Sequence, residues 1–102
     1  MAKKVIGGKM YNTDTAERLA CDSYSNVRDF NYWSQELYRK KTGEYFIYGE
    51  GGPLTEYGQS YGDNGIGYGD RIDPISEEDA RKWAEEHLDG DEYEKIFGTV
   101  EE

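Results

Sequence analysis

Carboxylates are the groups through which this chain could most readily engage another molecule, and they are densest toward its C-terminal end. Glu85, Glu86, Asp89, Asp91, Glu92 and Glu94 fall within ten consecutive positions, followed by Lys95. Lys95 can serve Asp91 or Glu92 but not every acid around it. Acids crowded beyond local neutralisation repel one another, and a basic partner would relieve that repulsion. These six are the candidate partner-binding residues, as imitators of phosphates. The plainer alternative is a solvated helix flank.

Other chemistry is thin. Cys21 and His87 are the only thiol and imidazole. Zinc needs more soft ligands than these two supply, and neither residue lies in a nucleophile–base signature. Without a basic cluster nearby, Cys21 is expected to be a small buried residue. Gly65-Ile-Gly67-Tyr-Gly69-Asp70 resembles a phosphate-binding loop only loosely, lacking the glycine spacing and lysine of the nucleotide motifs. Asp63, Asn64, Asp70 and Asp73 offer oxygens, but their spacing fits no EF-hand. No catalytic residue, metal or cofactor is expected.

Charge sets the class of partner. The formal net charge is −10, divided as +3 over residues 1–43 (8 basic, 5 acidic) and −13 over residues 44–102 (4 basic, 17 acidic). Such a surface is repelled by nucleic acid and anionic membranes and attracted to basic proteins. A single cysteine excludes an intrachain disulfide, and no apolar run approaches a membrane span. A cytoplasmic protein is therefore expected, with no direct nucleic-acid or membrane partner and its oligomeric state open.

These groups need a scaffold, and 102 residues with 35% hydrophobic content point to one domain with a small core in which fifteen aromatic residues do most of the filling. Leu37–Lys40 and Tyr45–Tyr48 read as a central β-hairpin around Gly43. A two- or four-residue loop would set Glu44 opposite Lys41 or Arg39. Either puts Leu37, Phe46 and Tyr48 on one face and Tyr38, Tyr45 and Ile47 on the other. Gly7-Gly8 marks a turn between two very short strands. Asn12 and Thr13, followed by Ala16, Leu19 and Ala20 at helical spacing, predict a short helix. Phe30, Tyr32 and Trp33 are expected in the core. Residues 49–73 read as a long loop held down by its own tyrosines, with Tyr-Gly at 48, 57, 61 and 68.

Regularity returns at Ser76, an N-cap with Asp79 three positions on. Ala80, Trp83, Ala84, His87 and Leu88 then form the buried face of a helix, with Glu77–Arg81 and Glu78–Lys82 pairs outside. Asp89-Gly90 is expected to stop it. Asp91 and Glu94 would cap a last helix presenting Tyr93, Ile96 and Phe97 inward and ending at Gly98. The expected architecture is α+β: a small antiparallel sheet on the central hairpin, packed by the C-terminal amphipathic helix.

Gly8-Lys-Met-Tyr-Asn-Thr-Asp-Thr-Ala16, Leu37-Tyr-Arg39, Gly43-Glu-Tyr-Phe-Ile-Tyr-Gly-Glu-Gly-Gly-Pro53 and Ile75-Ser-Glu-Glu-Asp-Ala80 occur in a fixed order. This order resembles that of a small-protein family carried by phages and integrative elements of Gram-positive gut-type bacteria. Some small acidic proteins of that setting are anti-CRISPR inhibitors. The resemblance and the charge together imply a non-enzymatic inhibitor that occupies the basic nucleic-acid channel of an RNA-guided nuclease. The competing expectations are a ligand-binding or enzymatic module built on the Gly/Tyr-rich loop, and a neutral accessory protein of a mobile element.

Overall fold

The computed structural model describes residues 2–26, 28–60 and 65–101. Strands β1 (Lys3–Ile6) and β2 (Lys9–Asn12) form a hairpin, which Gly7 and Gly8 close with φ of 59° and 81°. Both angles lie in the left-handed region that glycine enters without steric cost. The main sheet is antiparallel and contains β3 (Glu17–Tyr24), β4 (Trp33–Arg39), β5 (Tyr45–Gly51) and, after an excursion, β8 (Gly69–Ile75), in that order. The excursion carries the two-residue strands β6 (Gln59–Ser60) and β7 (Ile66–Gly67), which pair with each other. Helices α1 (Glu77–His87) and α2 (Gly90–Phe97) complete the chain. No helix among the described residues is long and apolar enough to cross a membrane.

The expected α+β architecture is present, with the hairpin at the centre of the sheet and both its faces covered. Its register differs from expectation. Arg39 pairs with Tyr45, so the connection runs from Lys40 to Glu44, and Lys40 N–H donates to the Glu44 carbonyl at 2.7 Å. This odd-numbered connection shifts the cross-strand parity by one. Leu37 shares the helix side with Tyr45 and Ile47, packed against Ala80, Trp83 and Ala84. Tyr38 shares the other side with Phe46, packed with Ile72 and with Tyr11 of β2. There the Tyr38 and Phe46 rings stack at 5.1 Å, and Tyr11 meets Phe46 edge-on. Burial and the neighbouring Glu36 carboxylate, which accepts from its hydroxyl, push the Tyr38 phenol up to about 12.

The helix expected after Asn12 is a strand instead. Asn12 uses its helix-starting chemistry for a single turn, its side chain accepting from Asp14 N–H and its carbonyl from Ala16 N–H. A bulge between Arg18 and Ala20 then lets both Leu19 and Ala20 pack toward the helix-side core. That supplies the apolar spacing that imitated a helix. Cys21 is exposed, because strand alternation turns it away from that core. Phe30 is also exposed, at 62%, while Tyr32 and Trp33 are half-buried.

The 49–73 loop is shorter than expected at both ends, since β5 runs through Gly51 and β8 starts at Gly69. Gly49, Gly51 and Gly69 lie on the helix side, leaving a shallow trough without side chains. A Cβ on Gly49 would overlap the Tyr57 ring, and one on Gly69 would overlap the Tyr57 carbonyl oxygen. Residues 52–59 are laid in this trough, and Tyr57 is 4% exposed. Tyr61, Asp63 and Asn64 lie outside the described residues. Asp70 accepts from Tyr48 O–H at 2.9 Å and Asp73 is paired with Arg71 at 2.8 Å, so the described members of the proposed cation set are committed elsewhere.

An ion-pair cluster fastens the β1–β2 hairpin to the β4–β5 connection. Glu44 accepts from Lys9 at 2.7 Å, Lys40 at 3.1 Å and Thr42 at 3.0 Å, which holds its carboxyl down at about 2. A carboxyl whose folded pKa lies below its ordinary value of 4.5 contributes stability that is fully present above that value. The contribution is lost as pH falls from about 4.5 toward about 2. Glu44→Gln is expected to remove it, flattening the acid limb of a circular-dichroism unfolding curve in that window. Parallel wild-type and variant curves there would show that the cluster is not coupled to folding.

Candidate functional site

The six acids converge on the pair of helices. Ser76 caps α1 as expected, accepting from Asp79 N–H at 3.1 Å, and the Glu77–Arg81 and Glu78–Lys82 pairs close at 3.1 and 3.4 Å. Ala80 and Ala84 are fully buried, and Trp83 is 9% exposed. Leu88 ends α1 in an extended conformation, its N–H bonded to the Ala84 carbonyl. Asp89 then begins α2 directly, accepting from Glu92 N–H at 2.9 Å. The expected cap at Asp91 is therefore at Asp89, and Gly90 is the first helical residue, not a stop. The two helices are joined so tightly that an open groove of about 680 Å³ lies between them.

Its lining is two-sided. Leu88, Tyr93 and Val100 supply apolar surface above the buried Ala84, and Glu85, Asp89, Asp91, Glu94 and Glu101 supply carboxylates. Among the described residues, no lysine or arginine lines it. The tail reaches the groove because Gly98 ends α2 at φ 91°, after which Val100 N–H donates to Glu94 Oε2 at 3.3 Å. Four of the six predicted residues, Glu85, Asp89, Asp91 and Glu94, are thus brought together. Glu86 and Glu92 are exposed but do not line the groove. Among the described residues, none of the six forms a salt bridge. Two are partly engaged by backbone: Asp89 as the cap and Glu94 through Val100.

Glu101 and the apolar lining were missed by reasoning on charge alone. Their signal is Gly98, which as a helix C-cap reverses the chain and returns Val100-Glu101 toward the acids.

Cys21 and His87 do not form a pair. The His87 ring instead lies 4.6 Å from Trp83 in a stacked geometry, with Nδ1 2.8 Å from an oxygen of Asp22. Asp22 adjoins Cys21 in β3, so the two side chains project to opposite faces. The same helix-side region holds a polar chain in which Trp83 Nε1–H donates to Gln35 Oε1 and Gln35 Nε2–H donates to the Tyr57 hydroxyl, each at 2.8 Å. Comparison with protein families, curated proteins and solved structures finds nothing that matches this chain.

Proposed function

We propose that the chain is a non-enzymatic acidic protein that binds a basic surface of a partner protein through the groove between α1 and α2. The observation that carries this reading is the lining itself, carboxylates surrounding apolar surface with no base among them. A lysine or arginine side chain has an apolar stem and a charged head, and the groove offers a counterpart to each. Nucleic-acid channels concentrate such side chains, and a protein seated in one displaces the phosphate backbone by competition. The resemblance noted in the sequence supports a specific form of this, an anti-CRISPR-type inhibitor acting on an RNA-guided nuclease.

The test separates the groove from the overall charge. Asp89 is unsuitable for reversal because it caps α2. Glu85→Lys/Glu94→Lys changes two groove residues, and Glu86→Lys/Glu92→Lys makes the same change in charge outside the groove. DNA cleavage by a panel of guide-loaded nucleases is measured with each protein added before or after target DNA. Wild type and the outside pair are expected to inhibit when added first, less strongly as salt rises. The groove pair is expected to lose about tenfold or more in affinity. Equal inhibition by both variants would move the interface away from α1 and α2, and no inhibition of any nuclease would remove the anti-CRISPR form of the reading.

A further inference from the structure

A second concavity lies on the helix side of the sheet, beside the trough that holds residues 52–59. It measures about 560 Å³, within the size range of small-molecule sites. Tyr24 and Trp33, cross-strand partners on β3 and β4, contribute adjacent aromatic surface to its lining. Tyr24 is 54% exposed, and Leu54 on the opposite loop is 66% exposed. Exposed aromatic surface in a chain with so small a core is surface withheld from folding.

The polar groups of this cleft have been placed by the fold. Trp83 and Tyr57 hold the Gln35 amide from both ends, as described above. Asp22 lies beside His87 Nδ1, and a carboxylate oxygen there can only accept, so Nδ1 carries the hydrogen and Nε2 is left for a ligand. Asn31 adds an exposed amide. The charge balance narrows the ligand. Among the described residues Glu56 is the only carboxylate in the lining, and Arg71 already holds it at 3.0 Å while lying 4.8 Å over the Tyr57 ring. A cation would find no unpaired carboxylate among the described lining residues, and a phosphorylated ligand would meet a protein of net charge −10.

We propose that this cleft binds an uncharged sugar ring, one face stacked on the Tyr24–Trp33 surface and its hydroxyls bonded to Asn31, Gln35 and His87. A pyranose has the required pattern, with C–H groups on one face and alternating donors and acceptors around the rim. The site is separate from the acidic groove, and its occupation does not depend on the partner proposed above.

The test is an NMR titration of the intact protein, following the two indole N–H signals. The probes are glucose, galactose, mannose, N-acetylglucosamine and N-acetylgalactosamine, their β- and α-linked disaccharides, adenosine, and N-acetylarginine amide. At least one sugar is expected to shift the Trp33 signal saturably, with a smaller effect at Trp83. Tyr24→Ala, at an exposed position, is expected to weaken that sugar by about two- to tenfold, the worth of one aromatic contact, without changing the melting temperature. Asn31→Ala is expected to weaken it as well. The proposal is overturned if no sugar shifts Trp33, if the affinity is unchanged in both variants, or if only adenosine or the arginine amide binds.

Discussion

Trp83→Ala is expected to destabilise the protein by about 3–5 kcal/mol, the usual cost of deleting a large buried aromatic side chain. A domain of this size has only about 5–15 kcal/mol in total, so the variant should be largely unfolded at temperatures where the wild type is intact. Trp83 is the largest residue of the helix-side core, which it shares with Leu37, Tyr45 and Ile47 of the central strands. Truncation leaves a cavity and also orphans the Gln35 Oε1 that accepts from the indole at 2.8 Å. Trp83→Phe keeps most of the ring and loses the donor, so its cost should be well below that of alanine. Urea unfolding followed by circular dichroism gives both values. A midpoint unchanged in Trp83→Ala would mean that α1 is not docked through this side chain.

Gly49→Ala is expected to have the next largest effect, because one methyl group displaces a whole segment. Its Cβ would occupy space filled by the Tyr57 ring. Overpacking of this kind costs about 1–3 kcal/mol where neighbours can adjust, but Tyr57 is confined by Gln35 and Arg71 as well as by the sheet. The expected outcome is release of residues 52–59 from the trough, seen as faster proteolysis around Tyr57 and a lower unfolding midpoint. Gly69→Ala should act alike, since its Cβ would overlap the Tyr57 carbonyl oxygen, a backbone atom with less freedom to move. A double-mutant cycle assigns the cause: in a Tyr57→Ala background, Gly49→Ala should cost much less than in wild type. Equal costs in the two backgrounds would place the clash elsewhere.

The sequence was most legible where local chemistry decides structure. Ser76 with Asp79, the spacing from Ala80 to Leu88, and Gly7-Gly8 each carry their own geometry, and each element forms as read. It was least legible where partners distant in the chain decide. Nothing local distinguishes Leu19 and Ala20 on a bulged strand from the same residues on a helix. Only pairing with β4 selects the strand. The parity of the central hairpin turned on one residue of loop length, which reversed the cross-strand company of Leu37 and Tyr38.

The Gly/Tyr-rich stretch failed for a related reason. Glycine at 49 and 51 shows the period of two of a strand face, but without side chains it carries no hydrophobic pattern. Its meaning appears only when Tyr57 is seen lying on it. For the acidic residues, counting charges picked out the stretch but not the groove, and helical periodicity could have sorted which of them line it. Glu85 and Glu86 are about 100° apart around a helix, and only the former faces α2 closely enough to line the groove.

The margins of the main sheet bear on how the protein behaves at high concentration. β3 and β8 lie at its two margins, and each leaves backbone groups that another chain could pair with. The bulge between Arg18 and Ala20 breaks the regular spacing of the β3 groups. Pro74 in β8 has no N–H to offer, which suits a strand at the margin of a sheet. A foreign strand would therefore find only short, interrupted runs to pair with on either side. With a like charge of −10 on every copy, these interruptions oppose growth of the sheet into a filament.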